Sequence, residues 1–239
     1  MTDCVIIPKR ERGEPHLPPL GLLAVNPSDR SHFSALAQQH VLNRYFLFNA
    51  ELYSNRQFFL AGPAVGAPMA TLCLEKLIAL GASRIILYGW CGSLTPSLSI
   101  GNVFAPAGLL SEEGTSTHYP CGSGPWDDSL QRRIIEILAS QGQIVIQGPV
   151  WTTDAPYRET KEKVARYCEQ GIMAVDMEYT ALRTVAAFRR VQLAAVFLVS
   201  DELYHDSWQQ GIGRKSFRQQ SHRLLNELCT LLSRTDELI

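Results

Sequence analysis

The sequence predicts a single-domain α/β fold with a mixed, largely parallel sheet flanked by helices. Two observations carry this. Short apolar runs alternate along the chain with segments of helical spacing, the pattern of strands joined through covering helices. No repeat, low-complexity tract or linker interrupts the alternation, and the one proline-rich stretch lies early, at Pro15, Pro18 and Pro19. The 239 residues are therefore read as one domain, 1–239.

In chain order, the apolar runs at 4–7, 21–25, 84–88, 143–147 and 192–199 read as buried strands. Segments 45–53 and 58–61 read as a hairpin turning at Ser54 and Asn55. Met69, Leu72, Cys73, Leu77 and Leu80 fall on one helical face, with Gly81 as the stop. A second helix is expected over about 127–139, with Leu130, Ile134, Ile137 and Leu138 inward. A third begins near Glu178, and a fourth covers roughly 217–232.

Composition excludes several classes of function. The 22 Lys and Arg face 23 Asp and Glu, a net charge of −1, and no basic cluster is present to neutralise nucleic-acid phosphates. The apolar and charged fractions, 46% and 19%, are those of an ordinary globular chain. Six scattered cysteines (Cys4, Cys73, Cys91, Cys121, Cys168 and Cys229) form no CxxC pair and read as reduced structural thiols. No clustered Cys and His at ligand spacing suggests a metal. No basic leader precedes an apolar run, and no apolar stretch approaches the ~20 residues needed to cross a bilayer. A cytoplasmic protein is expected, without membrane or nucleic-acid partners.

Sites in such sheets form where strands end and helices begin, and four loops fit. The first runs from Ala61 through Gly62, Val65 and Gly66 into a helix, where glycines allow close backbone approach and helix N–H groups stand unpaired. The second is Tyr88-Gly89-Trp90-Cys91-Gly92-Ser93. Cys91 has no base beside it to make it a nucleophile and reads as a small buried residue. The third, Val175-Asp176-Met177-Glu178, and the fourth, Val199-Ser200-Asp201-Glu202, each place acids at a strand end. Either acid alone could be a helix-dipole partner or a cap; the pair is better evidence of chemistry.

Together with Glu113-Gly114-Thr115-Ser116, these blocks make the chain over roughly 21–234 resemble the nucleoside phosphorylase family, in its uridine-phosphorylase-like and hexameric purine-nucleoside-phosphorylase branch. The resemblance implies cleavage of a nucleoside N-glycosidic bond, giving free base and, with inorganic phosphate as co-substrate, sugar 1-phosphate. It makes Glu178 the carboxylate that holds the ribose hydroxyls and Met177 the residue beside the sugar. Asp201 becomes the acid at purine N7, assisted by Arg214. Val65, Gly66, Gly89, Trp90, Tyr157 and Ser200 fall at substrate-binding positions, and Arg30 and Arg44 at phosphate-binding ones. No organic cofactor or metal is implied. A homo-oligomer is, a hexamer built as a trimer of dimers or a dimer, with Arg44 lent to a neighbouring subunit.

The phosphate site departs from the family. Leu87 stands where phosphorolytic members have an arginine, and Trp90 where they have a hydroxyl; neither can hold an anion bidentately. Nucleosidases, which use water, also lack that arginine and carry an acid in the first loop. Asp29 is either that acid or a solvated loop residue, and the solvated reading is preferred. Pro156 replaces a base-stacking Phe, leaving Tyr157 or Trp90 to stack. His118 and His205 lie near the site and read as surface histidines; Trp126, Trp151 and Trp208 read as packing residues, Trp208 in a loop able to close over the base. Phosphorolysis of a purine nucleoside is the expectation, with hydrolysis the alternative and non-catalytic nucleoside binding a third.

Overall fold

The computed structural model describes residues 4–120 and 127–234. Strands β1 (Leu20–Ala24), β2 (Asn43–Leu47), β3 (Ala50–Ser54), β4 (Phe59–Gly62), β5 (Arg84–Ser93), β6 (Val103–Glu112), β7 (Val145–Thr153), β8 (Ala174–Asp176), β9 (Gln192–Glu202) and β10 (Gln209–Gln210) form one sheet. Its order is β10-β9-β6-β7-β8-β5-β1-β4-β3-β2, and β9 also pairs with β5. That extra pairing closes β5, β9, β6, β7 and β8 into a ring, from which β1, β4, β3 and β2 extend as an open wing.

Helices α1 (Arg30–Gln39), α2 (Ala67–Leu80), α3 (Ser129–Ser140), α4 (Lys161–Glu169), α5 (Tyr179–Arg189) and α6 (Lys215–Leu232) cover this sheet. Central strands are apolar at consecutive positions because both faces are covered. Leu23, Leu87 and Ala195 pack with α2 and α5, through Leu74, Leu77, Leu182 and Val185. Their neighbours Leu22, Ile86 and Ala194 pack on the other face with Phe33, Leu36, Ile134 and Leu225. Each fully buried Leu or Phe contributes about 1.5–3 kcal/mol of transfer free energy, so these two layers hold the central parallel strands rigidly beneath their C-terminal ends.

The fold class agrees with the sequence reading, and three segments differ in detail. Residues 4–7 are not a strand: Val5, Ile6 and Ile7 are largely exposed, so an apolar run without a neighbouring ladder stays irregular. The segment 45–53 breaks at Phe48 and Asn49, with Asn49 at φ +52, and β2 and β3 are already antiparallel partners. The expected hairpin turning after Ser54 into 58–61 is present as the β3–β4 pair, and β2 extends it to a three-stranded meander. The strand expected at 143–147 begins at Val145 and runs on to Thr153. Helices α1 and α4 and the long strand β6 are additional. Among the described residues no helix is long and apolar enough to cross a membrane. Cys121 and Trp126 lie outside the described residues; Cys73, Cys91 and Cys229 are buried.

Candidate active site

A cavity of about 430 Å³ opens where β5, β8 and β9 end. Its wall includes Val25, Val65, Trp90, Met177, Glu178 and Asp201, contributed by five separate loops or strand ends.

Glu178 sits at the N-cap of α5 and is 5% exposed. The backbone is fixed there by Asp176, whose Oδ2 accepts the N–H groups of Glu178 (3.0 Å) and Tyr179 (2.6 Å) while Oδ1 accepts from Thr152 Oγ1 at 2.5 Å. Asp176 thus satisfies the first N–H groups of α5, and Glu178 is left to face the cavity. Its Oε1 accepts the backbone N–H of Gly66 at 2.6 Å. Gly66, at φ +83, caps α2, a conformation glycine adopts freely. Burial, and next the charge of Asp176, hold the Glu178 carboxyl above the ordinary carboxylate range. A buried carboxyl with one oxygen occupied by a backbone donor is suited to receive hydroxyl donors from a ligand.

Asp201 owes its position to a break in the β5–β9 ladder. Cys91 pairs with Val199, but Gly92 pairs with Asp201, so Ser200 is passed over. Gly92 leaves room beneath it, since a Cβ there would lie 2.4 Å from Leu203 Cδ1 and 3.2 Å from Asp201 Oδ2 and would push both side chains aside. Ser200 Oγ donates to Asp201 Oδ1 at 2.5 Å, and Trp208 Nε1 donates to Oδ2 at 2.7 Å. Trp208 therefore does more than pack, although its ring is still 57% exposed. Both hydrogen bonds orient the acid.

Trp90 meets a buried polar network instead of standing free for an anion. Its Nε1 donates to Ser221 Oγ at 2.9 Å, and its ring lies edge-on to Phe217. Tyr88 Oη lies 2.7 Å from the same Ser221 oxygen, which donates to both carboxylate oxygens of Asp29 at 3.1 Å. Asn26 also donates to Asp29. The preferred reading of Asp29 as a solvated loop residue is therefore corrected: it is 1% exposed. Packing of α6 against the loop before α1 encloses it, and burial raises its pKa against the opposing effect of these hydrogen bonds.

The remaining candidates divide. Tyr157 lines the cavity rim and is 97% exposed, and His205 lines it with Nε2 2.8 Å from Glu202 Oε2. Gly89 lies behind the wall, where a Cβ would meet Val25 at 2.6 Å. Leu87 is fully buried in the core. Arg30 and Arg44 do not line the cavity; they meet at Glu51 on β3, at 3.2 and 3.7 Å. Arg214 is exposed at the N-cap of α6, also outside the lining, and His118 is exposed. Burial and the nearby acids Asp176 and Asp201 push the Cys91 thiol up, which keeps it from serving as a thiolate nucleophile. Among the described residues, no group of three or more His, Cys, Asp or Glu forms a metal site.

Sequence reasoning missed Glu159, which also lines the cavity. No periodicity or motif marks it, and only the turn at Pro156–Arg158 carries it inward.

A family model described as the phosphorylase superfamily matches residues 21–234. The guanosine phosphorylase of Halorubrum lacusprofundi is 24% identical over 161 residues, 66% of each chain; the match thus spans just under two thirds of that relative. Among solved structures, the purine nucleoside phosphorylase of Toxoplasma gondii in complex with immucillin-H superposes with a TM-score of 0.76 at 17% identity, covering 92% of this chain and 93% of that one. An AMP nucleosidase from Bacteroides thetaiotaomicron superposes with a TM-score of 0.71 at 23% identity, covering 92% and 90%. These likenesses establish the shared fold, and the family match over most of the sequence goes further: the chain belongs to the phosphorylase superfamily.

Proposed function

We propose that the chain cleaves the N-glycosidic bond of a nucleoside, with a purine as the preferred leaving base. The observation that carries this is the placement of Glu178 and Asp201 on one cavity. As the bond breaks, the sugar gains oxocarbenium character and the base gains electrons. Glu178 holds the ribose hydroxyls in place while positive charge develops nearby. Asp201, aimed by Ser200 and Trp208, supplies a proton or hydrogen bond at purine N7, a contribution of typically ~10²–10⁴-fold. Met177 and Val65 give the sugar apolar contact, and Trp90 and Tyr157 offer aromatic surface to the base.

Phosphate is the proposed acceptor, making the chain a pentosyltransferase of nucleoside salvage. The names of the curated relatives support this, together with two arginines held close together on Glu51. Arg44 lies exposed on β2, and in a homo-oligomer of dimers it serves the cavity of a second copy. Arg214, at the N-cap of α6 and outside the cavity lining, is the proposed assistant of Asp201 in the proton transfer.

Hydrolysis is the second reading, and a specific observation favours it. The wall carries Trp90 and no arginine among the described residues, while the buried Asn26 in that wall has an Oδ1 without a hydrogen-bond partner. Such an acceptor suits a water molecule better than an anion. The experiment is release of base from a nucleoside panel with and without phosphate. Sugar 1-phosphate formed only with phosphate supports phosphorolysis, and free sugar at an unchanged rate supports hydrolysis. Calorimetric binding without turnover in either buffer would replace both with a non-catalytic binder.

A further inference from the structure

The polar network behind Trp90 ends on a pair of histidines that the mechanism leaves unused. His222 on α6 and His32 on α1 stack with ring centroids 4.3 Å apart and an interplanar angle of 2°. His222 Nε2 lies 3.6 Å from Asp29 Oδ1, within ion-pair reach and longer than a hydrogen bond. Asn226 Nδ2 donates to His32 Nε2 at 3.1 Å, so that nitrogen accepts and the His32 ring is neutral. Of the two rings, His222 is therefore the one placed to carry a charge.

The order of the network depends on Asp29 accepting hydrogen bonds. Ser221 has one hydroxyl proton, which goes to Asp29, while its oxygen accepts from Trp90 Nε1 at 2.9 Å and lies 2.7 Å from Tyr88 Oη. A proton settling on Asp29 toward Ser221 competes for that occupied oxygen. A proton on His222 Nε2 instead leaves both carboxylate oxygens accepting and sets an opposite charge beside Oδ1. The groups facing His222 are Asp29 from the loop before α1, His32 from α1 and Arg218 on α6, with Tyr88 of β5 beyond Asp29. Burial, then His32 and Arg218, lower the His222 pKa against the opposing charge of Asp29, and burial raises that of Asp29. The two groups are drawn toward each other, so one proton can be held between them.

We propose that His222 is a positioning residue: by taking the proton that acid would otherwise place on Asp29, it keeps Asp29 accepting from Ser221 and holds the Trp90 ring in the cavity wall. Trp90 shares that wall with Glu178 and Asp201. A ring that loses its anchor gives a ligand a looser wall, which weakens binding before it slows bond cleavage. Only this kinetic consequence rests on the nucleoside-cleaving function proposed above; the anchoring of Trp90 does not.

The experiment follows the Trp90 indole N–H signal by NMR in the full chain carrying isotope-labelled tryptophan, from about pH 8 to about pH 5. The signal is assigned by its absence in Trp90→Phe. His222→Gln and His222→Leu, neither able to take the proton, are compared with the unmodified protein. In the unmodified protein the signal holds its position; in both variants it coincides with that position near the upper pH and moves away as pH falls. Over the same range the variants' nucleoside KM rises about tenfold relative to the unmodified protein, while kcat stays within about threefold. A signal displaced equally at every pH marks a merely structural role, and one that never departs marks no role; either overturns the proposal. Thermal melting checks that the variants fold. The imidazole signals of the unmodified protein are a test whatever that melt shows, since a His222 ring that stays neutral throughout overturns the proposal. Release of base from no purine nucleoside, with the indole signal behaving as expected, overturns the proposed function and not the role of His222.

Discussion

The Gly66 N–H and Glu178 Oε1, 112 residues apart in sequence, are joined by a 2.6 Å hydrogen bond. This bond couples the loop entering α2 to the start of α5 and settles which carboxylate oxygen remains for a ligand. Replacing Glu178 by Gln retains an acceptor for Gly66 but removes the second carboxyl oxygen that would receive a ribose hydroxyl. Nucleoside kcat/KM is expected to fall about 10- to 100-fold, measured by base release.

The same substitution is expected to change how stability depends on pH. Burial and the charge of Asp176 hold the Glu178 carboxyl above its ordinary range. The folded chain then binds more protons than the unfolded one, so this group's contribution declines as pH rises from the ordinary carboxylate range to the raised folded value. Glu178→Gln removes that decline. Melting temperatures at about pH 5 and about pH 8 should differ less in the variant than in the unmodified protein; an equal or larger difference contradicts the burial argument.

Asp201→Asn is expected to slow purine nucleoside cleavage by about 10²–10⁴-fold. Trp208→Phe keeps the ring and loses the 2.7 Å hydrogen bond to Asp201, so about a tenfold loss in kcat is expected. A positioning role lowers kcat while leaving KM and the melting temperature in place, whereas a purely structural role moves the melting temperature with it. An unchanged kcat would return Trp208 to packing.

Arg44→Ala tests the acceptor. Its side chain is 67% exposed and, among the described residues, is held by a 3.7 Å contact with Glu51, so its loss leaves stability within about 0.5 kcal/mol. If Arg44 serves a neighbouring copy's phosphate, the phosphate-dependent rate falls and any phosphate-free rate does not. Equal loss in both buffers removes it from the anion site.

Ser221→Ala withdraws the oxygen shared by Trp90, Tyr88 and Asp29. Leaving buried polar groups unpaired costs about 1–3 kcal/mol each, so a clear drop in the urea midpoint is expected. Ser221→Thr, which keeps the hydroxyl, should recover part of it. If Ser221→Ala melts like the unmodified protein, the network contributes nothing to stability.

Glu178 and Asp201 were legible in the sequence because each follows a short apolar run at a strand's end, where local pattern and site position coincide. The central strands were legible for a related reason: covering both faces makes them apolar throughout. Asp29 was misread because its burial depends on Ser221, 192 positions away, and no window along the chain spans that contact. Glu159 gave no signal because a charged residue in a polar loop has the composition of any solvated turn. The apolar segment at 4–7 shows the converse, since hydrophobicity alone does not supply a strand with a partner.

The skipped residue between β5 and β9 has a consequence for how this molecule can vary. Which way the acid at position 201 looks is recorded in the number of residues on β9, not only in their identity. Loss of Ser200 would make Val199 and Asp201 consecutive, as their partners Cys91 and Gly92 are, and would remove the local bulge that turns the acid. Substitutions at neighbouring sites can be absorbed one at a time, whereas a change of length here is all or nothing.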